Sequence, residues 1–191
     1  MQTTRFLITG VGGQGTILAS DVLAEVGLRL GYDAKKSDIL GLAVRGGSVV
    51  SHIIWGGKVR APMIDEGSAD YYISFEWLEG LRRMAYTNPD TVILANDWRI
   101  DPITVVTGAA SYPEGIIEKL QKERKTIVVE AMAEAKKLGT SKVFNVVVLG
   151  AAARHMTFSK EQWIQVIEST VPPKTVEINL QAFEAGYSLS V

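Results

Sequence analysis

Two glycine-rich segments carry the residue types and spacing best suited to chemistry in this chain. The first, RFLITGVGGQG at 5–15, runs an apolar stretch into Gly10, Gly12, Gly13, Gln14 and Gly15, and TILASDVLAEVGLRLG follows in a helical pattern. Gly10, Gly12 and Gly15 satisfy a G-x-G-x-x-G spacing, whose glycines permit a tight turn and close approach of a ligand. The helix behind them presents unpaired N–H groups and a positive dipole end to an anion. The same residues also suit a purely structural turn. The second segment, GLAVRGGS at 41–48, sets Arg45 beside Gly46 and Gly47. A guanidinium on a glycine loop is built to fork onto a phosphate or carboxylate; a tight turn with a solvated arginine is the plainer alternative.

Other chemistries are missing from the sequence. There is no cysteine, which removes disulfides, thiolate nucleophiles, thiolate zinc sites and cysteine-ligated iron–sulfur clusters from this chain. The two histidines, His52 and His155, have no neighbouring acid or nucleophile pattern and read as structural. No G-x-S-x-G elbow, Walker A lysine or H-x-x-x-H pair occurs. We therefore assign no catalytic residue and no metal site to this chain. The net charge of -1 offers no footprint for nucleic acid. No apolar run approaches the roughly 18–20 residues that span a bilayer, and the start MQTTR carries no secretory pattern. The expectation is a cytoplasmic protein without membrane or nucleic-acid partners.

Elements of alternating type must position the two loops. Arg5–Thr9 reads as a buried strand, and Gln14–Leu30 as a helix ended by Gly31. Ser48–Trp55 alternates as a strand, and Gly56–Gly57 predicts a hairpin turn into Val59–Ala61. Tyr71–Phe75, Thr91–Ala95, Ile103–Val106 and Thr126–Val129 read as further strands, with helices at Glu76–Tyr86 and Pro113–Lys122. Asn145 could cap a helix over VVVLGAAARHM, although its β-branched opening also suits a strand. Ser159 with Gln162 forms a capping box, and Val176, Leu180, Phe183 and Tyr187 mark one face of a last helix. The pattern predicts an α/β fold: a three-layer α/β/α, doubly wound, Rossmann-like mixed sheet in a single domain over 1–191.

A dinucleotide site needs an acid at the end of a buried second strand, roughly 20 residues beyond the glycines. Asp33 and Asp38 stand near that distance, but YDAKKSDIL is too polar for a buried strand. A free-standing NAD(P)-binding enzyme is thus disfavoured, and a purely structural interaction subunit remains a third reading. Exposed aromatics would support that third reading, with Trp55, Trp77 and Trp98 as candidates.

GVGGQG followed by GLAVRGGSVVSHIIWG, with IDEGSADYYISFEWLEGLR, NVVVLGAAAR and INLQAFEAG downstream, resembles the gamma-type subunits of 2-oxoacid:ferredoxin oxidoreductases. The resemblance spans nearly the whole chain. It implies an oxidative decarboxylation in which an aryl 2-oxoacid such as indolepyruvate and coenzyme A give an acyl-CoA, carbon dioxide and reduced ferredoxin. It further implies that thiamine diphosphate, magnesium and [4Fe-4S] clusters sit on a large partner subunit, which also meets ferredoxin. This chain would be an accessory subunit. Gly10, Gly12, Gly13, Gln14 and Gly15 carry over as an anion loop, and Arg45, Gly46 and Gly47 as a second loop near coenzyme A phosphates or the partner. Family members commonly have glutamine before that arginine, whereas this chain has Val44.

Overall fold

The apolar run at the start of the chain becomes β1 (Thr4–Val11), buried from Phe6 onward because both of its faces are covered. In this computed structural model, residues 2–43, 45–156 and 158–190 are described. After β1 come α1 (Thr16–Arg29), β2 (Asp33–Leu40), β3 (Ser48–Gly56), β4 (Ala69–Ser74), α2 (Trp77–Arg82) and β5 (Thr87–Asn96). The chain continues through α3 (Ile103–Val106), α4 (Ile116–Glu123), β6 (Lys125–Val129), α5 (Ala131–Lys137), α6 (Phe144–Ala153), α7 (Lys160–Thr170) and α8 (Val176–Tyr187). The strands form one sheet in the order β2-β3-β1-β4-β5-β6. β1, β4, β5 and β6 are parallel, while β3 runs antiparallel between β1 and β2.

Alternation along the strands feeds two cores. Phe6, Ile8, Ile53, Trp55, Ile73 and Phe75 face α1, α5, α6, α7 and α8. Leu7, Val50, Ile54, Tyr72 and Ile93 face the other way, onto Leu78 of α2 and Ile116 and Leu120 of α4. The expected three-layer mixed sheet is therefore what forms. Every residue of α6 is buried, so its sequence carries no amphipathic stripe, and the strand alternative for NVVVL gives way to a helix. The capping box at Ser159 and Gln162 is present. On α8 the buried residues are Asn179, Ala182, Phe183 and Gly186, a face turned slightly from the expected one. Trp55 is fully buried rather than exposed, and Trp77 and Trp98 are half-buried. Among the described residues no helix is long and apolar enough to cross a membrane.

Three local expectations fail, each for a reason of context. No strand forms at Val59–Ala61, because both hydrogen-bonding edges of β3 are already taken by β1 and β2. Val59 is instead strapped to β2, its N–H donating to Asp33 Oδ2 at 2.7 Å and its carbonyl accepting from Lys35 Nζ at 2.5 Å. Asp33–Leu40 is, as its polarity required, no buried strand; it pairs at the sheet edge, where charges are tolerated and discourage further pairing. The hairpin thus turns at 41–47, ahead of β3, and not at Gly56–Gly57. Ile103–Val106 is one exposed helical turn, with Ile103 72% and Val106 68% exposed, lying outside the sheet.

Candidate functional site

The two glycine loops meet at the carboxyl end of β1. Gly12 N–H donates to Gly47 O at 2.8 Å and Gly46 N–H donates to Gly12 O at 3.3 Å. Gly13 (φ 103°) and Gly15 (φ 79°) adopt left-handed backbone that glycine enters without a side-chain penalty. Gly15 is also the residue ahead of α1, and having no side chain it leaves the first N–H groups of that helix uncapped. The helix carries no acid in its first turn. That combination makes a positive end ready for an anion.

A cavity of about 500 Å³ opens in front of this end. Gly12, Gly13, Gly15 and Thr16 line one side, Leu40, Gly41, Ala43 and Arg45 the other, with Val11, Ile17 and Val49 between them. Arg45 is exposed and lies over Gly13, where an added Cβ would stand 3.2 Å from Nη1. Among the described residues it has no carboxylate partner. Val44, the departure from the family pattern, lies outside the described residues.

Not every residue expected at this site faces it. The Gln14 amide, carried over with the anion loop, is turned inward. Its Oε1 accepts from Val11 N–H at 2.7 Å and its Nε2 donates to Phe75 O at 3.2 Å, so it braces the turn against β4. Gly10 is buried within β1, where a Cβ would come within 2.8 Å of both Gln14 Oε1 and Thr16 Oγ1. It makes room for those side chains behind the loop. Two contributors escaped the sequence. The Thr16 hydroxyl is buried and, among the described residues, unpartnered. Asn145 is not a cap but the second residue of α6, and its Nδ2 donates to Gly15 O at 3.3 Å across 130 positions. Nothing local marks such a distant contact.

The acids tested for a dinucleotide site are committed elsewhere. Because β3 lies between β1 and β2, neither acid stands beside the glycine turn as a dinucleotide site requires. Asp38 accepts from Ser51 Oγ at 2.5 Å and pairs with Lys36 Nζ at 2.7 Å. Burial pushes its carboxyl up, but Lys36 and the Ser51 and Ser20 hydroxyls outweigh that and hold it below the usual carboxylate range. Asp33 pairs with Lys35 at 2.8 Å.

His52 is fully buried on β3, its Nδ1 accepting from Ile64 N–H at 3.2 Å. Burial first, and the Arg83 guanidinium second, hold it below the ordinary imidazole value of 6.5. The fold thus favours neutral His52. Its contribution to stability is present above pH 6.5 and is lost as pH falls from there through the lowered folded value. We expect the melting temperature to fall between pH 7 and pH 5, and His52→Gln, though less stable at pH 7, to show a flatter profile. Parallel slopes in melting curves of the two proteins would assign the pH dependence elsewhere.

Comparison with known proteins places this geometry in context. The family model described as pyruvate ferredoxin/flavodoxin oxidoreductase matches residues 5–189. The chain is 36% identical over 192 residues to the indolepyruvate oxidoreductase subunit IorB of Thermococcus kodakarensis, covering 97% of this chain and 95% of that one. Among solved structures, the gamma subunit of a keto/oxoacid ferredoxin oxidoreductase from Geobacter sulfurreducens superposes with a TM-score of 0.71 at 26% identity, over 96% of each chain. The 2-oxoglutarate:ferredoxin oxidoreductase of Magnetococcus marinus shares the fold at a TM-score of 0.76 and 18% identity, with 98% of this chain matching 31% of that chain.

Proposed function

The chain belongs to the pyruvate ferredoxin/flavodoxin oxidoreductase family, and we propose that it is the accessory subunit of a 2-oxoacid:ferredoxin oxidoreductase that oxidises indolepyruvate or a similar aryl pyruvate. The overall reaction would take the oxoacid, coenzyme A and oxidised ferredoxin to an acyl-CoA, carbon dioxide and reduced ferredoxin. The substrate assignment is supported by 36% identity to an indolepyruvate oxidoreductase subunit along 97% of the chain. Thiamine diphosphate with magnesium, and [4Fe-4S] clusters, belong in this reading to a large partner subunit that exchanges electrons with ferredoxin. The residues of this chain do not fit those groups. It has no cysteine, and among the described residues no three potential metal ligands cluster.

Coenzyme A does fit. The observation that carries this part is the uncapped start of α1 facing Arg45 across one cavity. Backbone N–H groups of Gly13, Gly15 and the first turn of α1, the Thr16 hydroxyl and the Arg45 guanidinium would hold its phosphates, since those of Gly12 and Gln14 are spent on Gly47 O and Val11 O; Gly46 and Gly47 would set the arginine's place. When bound, coenzyme A supplies the thiol that accepts the acyl group. This chain's share is to bind and orient it, with no group of its own in the chemical step. Leu40, 55% exposed, lines the same cavity, and with the fully exposed Leu42 two residues on it favours a second use of the loop as a contact with the partner subunit.

Anaerobic reconstitution tests the proposal. With the chain co-produced with its large subunit, coenzyme A-dependent ferredoxin reduction is expected only when both are present, fastest with indolepyruvate over pyruvate and 2-oxoglutarate. No association, together with NAD(P) binding by the isolated chain, would overturn the assignment.

A further inference from the structure

Behind the cavity, on the α2 side of the sheet, lies a buried carboxylate with no part in the function proposed above. Glu79, in α2, is 2% exposed, and its oxygens are divided between two partners. Oε2 accepts from Ser48 Oγ at 2.5 Å and Oε1 accepts from Arg82 Nη1 at 2.5 Å. Arg82 lies on the same helix, three residues on, so the bond to Ser48 is the one that joins elements. Ser48 is the first residue of β3 and directly follows Gly47. Gly47 O and Gly46 N–H are the two groups that lace the hairpin loop to Gly12. The carboxylate is therefore one residue away from the seam between the two glycine loops.

Burying a carboxylate is costly, and an apolar side chain of similar volume would pack α2 against the sheet without that penalty. What the charge adds is a short, directional, charge-assisted hydrogen bond, stronger than a neutral one and intolerant of a shift in register. It acts on the strand end that carries the Arg45 loop. Glu76 caps α2 from the other end, accepting from Glu79 N–H at 2.9 Å, and Tyr72 OH lies 2.9 Å from Glu79 O. The carboxylate is thus mounted on a helix that is itself pinned to β4. A rigidly mounted anchor is what a loop presenting one exposed arginine needs in order to be pre-organised for a ligand.

We infer that Glu79 is a positioning residue, holding Ser48 and with it the Arg45-Gly46-Gly47 loop in the register that places Arg45 opposite the start of α1. The inference rests on the reading of this cavity as the coenzyme A phosphate site. It differs from that reading in what it asks of the molecule: affinity set by a group that never touches the ligand.

The test uses the assembled two-subunit enzyme and three variants, Glu79→Gln, Ser48→Ala and Arg45→Ala, with two readouts. Steady-state kinetics give KM for coenzyme A, KM for the oxoacid and kcat. Hydrogen exchange at Gly46, whose N–H is bonded across the seam, reports the loop itself. Glu79→Gln and Ser48→Ala are each expected to raise the coenzyme A KM about fivefold to tenfold, to leave the oxoacid KM in place, and to speed Gly46 exchange. The double variant is expected to be no worse than the single ones, since both break one bond. A lowered melting temperature with unchanged coenzyme A KM and unchanged Gly46 exchange would make Glu79 a structural residue and overturn the inference. Should Glu79→Gln fail to fold, Ser48→Ala removes the same bond by deleting only a hydroxyl. A raised KM in Arg45→Ala alone would remove the inference and keep the site. A flat KM in Arg45→Ala would remove both.

Discussion

Replacing Gly186 with alanine is expected to cost at least about 3 kcal/mol of stability, enough to lower the melting temperature by about 6–12 °C or to leave the chain insoluble. The reason lies in how α6 and α8 meet. A Cβ at Gly186 would stand 2.8 Å from Val147 C and 3.0 Å from Ala151 N, and closer still to the Val147 carbonyl oxygen. On the facing helix, a Cβ at Gly150 would stand 2.8 Å from Tyr187 N and overlap the Phe183 carbonyl. These neighbours are backbone atoms, which no rotamer change can move. Relief requires the helices to separate, and separation would open voids along a fully buried α6. Total stability is typically about 5–15 kcal/mol, so the loss is a large share of it. Gly41→Ala serves as the control, because the nearest atom to an added Cβ there is Ser48 O at 3.9 Å. Thermal melts of both variants decide the matter: a Gly186→Ala curve that overlays the parent would show that the two helices tolerate separation.

Arg45→Glu should raise the KM for coenzyme A in the assembled enzyme by more than about thirtyfold while leaving the melting temperature in place. The side chain is exposed and, among the described residues, unpaired, so its removal breaks nothing in the fold. A hydrogen bond to a charged group contributes about 1.5–3 kcal/mol, which is roughly 10- to 100-fold in affinity, and reversing the charge adds repulsion from the phosphates. Because the contact is at the surface, the parent enzyme's KM should climb with salt, and the variant's should respond in the opposite sense. Kinetics at two ionic strengths check both points. Equal KM values for parent and variant would detach Arg45 from ligand binding and leave the loop to the partner subunit.

Much of the site could be read from short stretches of chain. The turn at Gly12–Gly15 followed by a helix is written in consecutive residues, since left-handed backbone and an uncapped helix start are both local matters. Arg45 beside two glycines is equally local. The inward turn of Gln14 was not legible, because its second partner, Phe75 O, comes from the residue that follows β4, 61 positions away. Asn145 and Glu79 were hidden for the same reason: each acts on a loop far from it in sequence.

The failed strands teach a related lesson. Val59–Ala61 does not pair and the polar Asp33–Leu40 does, because whether a segment pairs depends on which edges of its neighbours are still open. Residue type and spacing settled the α/β class, the two glycine loops, the capping box at Ser159 and the absence of thiolate chemistry, since each depends on a few adjacent residues or on composition alone. Strand order, the inward aim of Gln14 and the anchoring of Ser48 by a buried carboxylate were decided by the fold, because they arise only when distant segments compete for the same hydrogen bonds and the same buried space.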